Sequence, residues 1–193
     1  MSQPKILAFA GSTRTGSYNK QLVAVAAEAA RAAGAEVTLI DLRDFPLPLF
    51  DEDLESASGL PENARKLKQL FRDHAGLLIA SPEYNSSITG VLKNAIDWVS
   101  RAESDDEPSL IAFRGKTAAV MSASPGALGG MRGLVQLRSL LGNIGVLVLP
   151  DQVTISAAYE AFGEGGALKD ERKAGQVKSL ASALVDVVHK LGR

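Results

Sequence analysis

The chain has 193 residues, 46% hydrophobic and 22% charged, with a formal net charge of -1. That length suits one domain with a full core, needing neither disulfides nor a structural metal, and the near-zero charge gives no general pull toward nucleic acid or an anionic membrane. Cysteine is absent, which removes disulfides, thiolate nucleophiles, iron–sulfur clusters and cysteine-based zinc sites together.

Short apolar runs alternate with helical patterns along the chain. Residues 6–10 are a buried strand closed by Gly11. Residues 19–33 carry Ala-rich helical spacing stopped by Gly34. A second strand follows over 36–41, then a long Pro-rich connection over 44–61. A helix is predicted over 62–74 and a third buried strand over 76–80. The helix over 89–101 buries Leu92, Ala95, Ile96 and Val99, leaving Trp98 off its core face, where it suits a subunit contact. Residues 103–109 read as a polar loop whose acids form a solvated turn. A fourth strand spans 117–121, a helix 131–142, and a fifth strand 146–149 that Pro150 stops. The last helix, 168–190, turns Val177, Leu180, Ala181, Leu184, Val187 and Val188 inward. No run approaches the ~20 apolar residues of a membrane span. The first residues lack the basic flank and cleavage site of a signal peptide. The expectation is a cytoplasmic chain, one domain over 1–193, without membrane insertion or a nucleic-acid partner.

Strands of this kind, separated by helices, imply an α/β three-layer sandwich: a five-stranded parallel sheet with helices on both faces. Five strands fit the doubly wound order 2-1-3-4-5, whose ligand crevice lies outside the carboxyl ends of strands 1 and 3. Three loops meet there.

The first, 11–19, offers backbone N–H groups, hydroxyls and the Arg14 guanidinium before a helix, which suits a phosphate monoester. Gly11 and Gly16 have P-loop spacing, but Ser17 and Tyr18 stand where Lys and Ser or Thr are needed, and the Rossmann glycine pattern is incomplete. An NTPase is therefore disfavoured, and Asp41 reads as a turn acid. The plain alternative for this loop is N-capping by Ser17; position and chemistry together favour phosphate. The second loop, 81–90, sets Tyr84 as a wall and Asn85 as a hydrogen-bonding edge for a planar heterocycle. Read alone, it is equally a turn stiffened by Pro82. The third, 122–130, has three glycines in five positions, which either let a backbone approach a ligand or only make the chain flexible. His74 and His189 fall on helices away from all three loops and read as structural.

Four segments in register carry a resemblance. They are Gly11-Ser12-x-Arg14-x-x-Ser17-x-Asn19, Pro82-Glu83-Tyr84-Asn85, the Leu92 to Trp98 helix, and Ser124-Pro125-Gly126-x-x-Gly129-Gly130. In these the chain resembles the NADPH-dependent FMN reductase family, which includes quinone reductases, azoreductases and chromate-reducing flavoproteins. The resemblance implies a flavodoxin-like fold, FMN as cofactor and NADPH or NADH as co-substrate. It implies that Gly11, Ser12, Arg14, Ser17 and Asn19 hold the phosphate. Pro82, Glu83, Tyr84 and Asn85 then flank the ring, and Ser124, Gly126 and Gly129 lie near it. Glu83 fits a pairing or helix-dipole role as well as a catalytic one. No side-chain catalyst or metal is expected, because the flavin carries the chemistry: ping-pong hydride transfer to N5, then two-electron reduction of a quinone, azo, flavin or metal-oxyanion acceptor. The resemblance also implies a homodimer or homotetramer. Relatives often have Ile-Pro-Gly where this chain has Ile88-Thr89-Gly90, and Thr still caps a helix. The competing reading is a flavodoxin-type electron carrier, which a net charge of -1 disfavours because such carriers are strongly acidic.

Overall fold

In the computed structural model, which describes residues 3–192, five strands form one all-parallel sheet of order β2-β1-β3-β4-β5. The strands are β1 (Lys5–Ala10), β2 (Glu36–Asp41), β3 (Gly76–Ala80), β4 (Thr117–Ala123) and β5 (Leu147–Ile155). The helices are α1 (Tyr18–Ala32), α2 (Glu52–Ser58), α3 (Glu62–Asp73), α4 (Gly90–Val99), α5 (Met131–Asn143), α6 (Ala158–Ala161) and α7 (Glu171–Lys190). This is the expected flavodoxin-like order. Side chains alternate along the central strands. Ile6, Ala8 and Ala10 of β1 and Ala119, Met121 and Ala123 of β4 pack under α1 and α7. Leu7, Phe9, Ala118 and Val120 face α3, α4 and α5. Burial on both faces makes these strands apolar runs rather than alternating ones.

Five expectations are corrected. The 44–61 stretch is more than a connection: it follows a 3-10 turn (Leu42–Asp44) and contains α2, capped by the Asp51 carboxylate, which accepts from the N–H groups of Asp53 and Leu54. That same segment lies over α4, so Trp98 is fully buried instead of waiting for a subunit. Its ring meets Phe50 edge-on at 5.1 Å, and Nε1 donates to the Pro48 carbonyl at 2.8 Å. Pro150 does not end β5. The strand continues to Ile155, with Pro150 inside a register shift between the pairs Ala118–Val148 and Val120–Gln152; a bulge on an edge strand is where a proline is tolerated. Finally, the acids of 103–109 are not simply solvated. Glu107 and Glu103 pair with Lys68 of α3, whose ammonium also donates to the Arg101 carbonyl at 2.7 Å and which is 1% exposed. In α7, Val185 is buried and Val187 only partly so.

Candidate functional site

The ends of β1, β3 and β4 are stitched into one rim. Gly11 N–H donates to Ala80 O and Ser81 N–H to Met121 O, each at 2.9 Å. Thr89, the cap of α4, accepts from Leu92 N–H and donates to Gly11 O at 2.6 Å. Gly11 has no room for a side chain, because a Cβ there would lie 2.9 Å from Leu92 Cδ2. The Asn19 amide crosses from α1 to the end of β4, donating to Ala123 O at 2.8 Å and accepting from Ala123 N–H at 2.9 Å. The three loops singled out from sequence are thus brought together by hydrogen bonds between segments far apart in the chain.

The β1–α1 loop keeps its polar groups open. Ser12 and Ser17 are buried, while residues 13–16 are exposed. Ser17 is the N-cap residue of α1 by position, yet its hydroxyl makes no capping bond. The capping alternative is therefore not what its side chain does. A helix N-terminus leaves N–H groups without partners, and none of the first-turn residues of α1 is acidic. Arg14 lies over the Tyr18 ring at 5.4 Å. Among the described residues, no carboxylate pairs with its guanidinium. Hydroxyls, free N–H groups, a positive dipole end and an unpaired guanidinium form an anion-binding donor set. The Asn19 amide does not belong to it, being committed to Ala123.

The β3–α4 loop turns tightly. Tyr84 and Ser87 exchange backbone hydrogen bonds of 2.9 and 3.0 Å around Asn85 and Ser86, which have φ of 51° and 67°. Two left-handed residues between paired ends make a type I′ hairpin. Such strain in non-glycine residues concentrates at ligand sites. It holds Tyr84 out, 59% exposed. Glu83 points the other way, accepting from Gly133 N–H at 3.1 Å and pairing with Arg132 at 2.7 Å. Burial works against its charge, but these bonds at the N-terminus of α5 prevail and hold its carboxyl below the usual value. Of the two roles open to Glu83, the pairing one is the one seen.

In the β4–α5 loop, two of the three glycines have a packing reason of their own. Gly129 and Gly130 have φ of 60° and 88°, and a Cβ on them would lie 2.9 Å from the Ile155 carbonyl carbon and 1.9 Å from Ser122 Oγ. Close chain packing by itself requires glycine at both positions. Gly126 is exposed with no such demand, and its N–H donates to Ser124 Oγ at 3.2 Å.

Sequence reasoning missed Arg43. It stands just past β2, and its side chain bonds Thr13 and Thr15 in the first loop. The signal was available in the strand order, which puts the end of β2 beside that of β1. His74 is structural, its ring nitrogens 2.6 Å from Leu70 O and 2.7 Å from Thr38 Oγ1.

A doubly wound parallel sheet of order 2-1-3-4-5, with a polar loop leading from its first strand into a helix, defines a flavodoxin-like protein. A model of the NADPH-dependent FMN reductase family matches residues 4–160. An NAD(P)H-dependent FMN reductase of Pseudomonas aeruginosa is 37% identical over 188 residues, covering 97% of this chain and 96% of that one. A Solanum tuberosum NAD(P)H:quinone oxidoreductase is 33% identical over 192 residues, covering 97% and 94%. Among solved structures, the flavoenzyme NAD(P)H:(acceptor) oxidoreductase FerB of Paracoccus denitrificans superposes with a TM-score of 0.78 at 28% identity, covering 97% and 98%. The chain belongs to the NADPH-dependent FMN reductase family, as an enzyme with FMN as cofactor and NAD(P)H as co-substrate. No helix among the described residues is long and apolar enough to cross a membrane.

Proposed function

We propose that the rim formed by the three loops is the FMN site of a two-electron reductase acting on a quinone, azo, flavin or metal-oxyanion acceptor. The observation that carries this reading is the uncapped N-terminus of α1 beside the carboxylate-free Arg14. Ser12, Arg14, Ser17 and the backbone from Gly11 onward would hold the phosphate, with Asn19 fixing the start of α1 against β4. Pro82, Tyr84 and Asn85 would flank the ring, and Ser124, Gly126 and Gly129 would border it from β4. The Asn85 amide, which has no hydrogen-bond partner among the described residues, is available to a ring edge. Glu83, held ionised by α5, is unsuited to donate a proton at neutral pH and acts as a support for the hairpin. Bound FMN would supply the hydride chemistry between NAD(P)H and the acceptor. The protein contributes binding, orientation and an open face beside Tyr84. We further propose a single domain over 1–193, a cytoplasmic location and assembly as a homodimer or homotetramer.

An anaerobic NADPH titration of the FMN-supplemented protein, followed by visible absorbance, tests the reading. Bleaching of bound flavin at one equivalent is expected. Bound flavin that NADPH cannot reduce would make the protein an electron carrier. Failure to retain flavin would refute the assignment of the rim.

A further inference from the structure

The β1–α1 loop is shaped from outside its own motif. β2 lies beside β1, with Asp41 opposite Ala10, and the 3-10 turn after β2 carries Arg43 toward the loop. The Arg43 guanidinium donates through Nε to the Thr13 carbonyl at 3.0 Å and through Nη2 both to that oxygen and to Thr15 Oγ1, the latter at 2.8 Å. Asp41 fixes the base of this arm. One carboxylate oxygen accepts from Arg43 N–H at 2.9 Å, and the other pairs with Lys20 of α1 at 2.5 Å. The guanidinium thus serves the loop rather than a carboxylate.

The consequence follows from peptide geometry. A trans peptide points its N–H opposite its C=O. Tying the Thr13 carbonyl to Arg43 therefore turns the next N–H, that of Arg14, the other way, where it donates to Oγ of the buried Ser12 at 3.3 Å. A carbonyl free to swing toward a bound phosphate would repel it. With four exposed residues at 13–16, the loop would otherwise lose conformational freedom on binding, at a cost in affinity.

We propose that Arg43, anchored by Asp41, is a positioning residue that presets the β1–α1 loop for a phosphate monoester and makes the site prefer FMN to riboflavin. It acts through Thr13 and Thr15, in contrast to Arg14. This rests on the reading of that loop as the phosphate site.

The test measures FMN and riboflavin affinities by flavin fluorescence in the full-length chain stripped of flavin, for wild type, Arg43→Gln, Arg43→Lys and Thr15→Val. Arg43 is exposed, and thermal unfolding checks that each variant folds. Arg43→Gln is expected to weaken FMN about tenfold, the scale of one charged hydrogen bond, and to leave riboflavin unchanged. Arg43→Lys should lose most of the preference too, because one ammonium cannot reproduce the fork. Thr15→Val should lose less, and the double variant with Arg43→Gln less than the sum. Equal weakening of both flavins would mean general loosening and overturn the proposal. So would an unchanged ratio in Arg43→Gln, or full rescue by Arg43→Lys, which would indicate charge alone. A wild type with no preference for FMN would overturn the phosphate-loop reading itself, and this inference with it.

Discussion

The β1–α1 and β4–α5 loops are written in nearly the same letters, glycine and serine between a buried strand and a helix, and they are built for opposite ends. In the first, two polar side chains stay unspent: the Ser17 hydroxyl caps nothing and Arg14 meets no carboxylate. In the second, Gly129 and Gly130 are pressed against Ile155 and Ser122, where even a methyl group does not fit, and the α5 N-terminus is already taken by the Glu83 carboxylate. A glycine-rich loop is thus a ligand cradle or a packing device depending on what lies behind it. Substitutions should separate the two: changes at Gly129 and Gly130 should cost stability, and changes in the β1–α1 loop should cost affinity.

The sharpest break is Gly130→Ala. A left-handed alanine overlapping Ser122 Oγ should destabilise by about 3 kcal/mol, lowering the thermal midpoint by roughly 10 °C in a calorimetric scan. Asn19→Ala comes next, joining both halves of the comparison. It leaves the N–H and C=O of Ala123 buried without partners, at about 2 kcal/mol in denaturant unfolding, and it should also weaken FMN by releasing the start of α1. Arg14→Ala should act on affinity alone. Losing charged bonds to a phosphate implies a drop in FMN affinity of about tenfold or more by fluorescence titration, with little change in the unfolding midpoint because the side chain is exposed.

Acid should act on the supports of the site rather than on the loops. Burial raises the Asp41 carboxyl, but its bonds from Lys20 and Arg43 and their charges outweigh this and hold it below 3.8; Glu83 is held below 4.5 in the same way by Gly133 and Arg132. A lowered folded-state value gives stability that is fully present above the ordinary value and lost as pH falls through the folded one. Unfolding stability should therefore not change on account of these groups from neutrality down to about pH 5, and should fall below about pH 4. Asp41→Asn should flatten part of that fall. Gly126→Ala should do least, within about 0.5 kcal/mol by the same scan, because a Cβ there meets only Ser124 Oγ at 3.7 Å. A large loss at Gly126 together with a tolerated Gly130→Ala would dissolve the distinction.

Much of the architecture was legible. The three central strands, their helices and the order 2-1-3-4-5 follow from apolar runs buried on both faces, and that order alone located the rim. What was not legible involves partners the local pattern does not encode. Trp98 sits off the α4 stripe, yet the proline segment folds over it and accepts its indole N–H at Pro48. Glu107 looks like a solvated acid until Lys68, 39 residues earlier, arrives from α3. Pro150 reads as a strand stop, but it falls in a bulge of the edge strand, where the missing N–H is not needed.

By itself the sequence determined the periodicities, and with them the strands, the helical faces, the sheet order and the three loops that had to meet. Those are local properties of the chain, set by side-chain alternation and helical spacing. The tertiary structure decided which polar groups in those loops are spent and which stay free. Asn19 is spent on Ala123, 104 residues away; Glu83 on Gly133, 50 away; and Arg43 on Thr13, 30 away. Arg14 and Ser17 are left over. Hydrogen-bond satisfaction depends on which groups the fold brings within about 3 Å, and no spacing along the chain states that in advance.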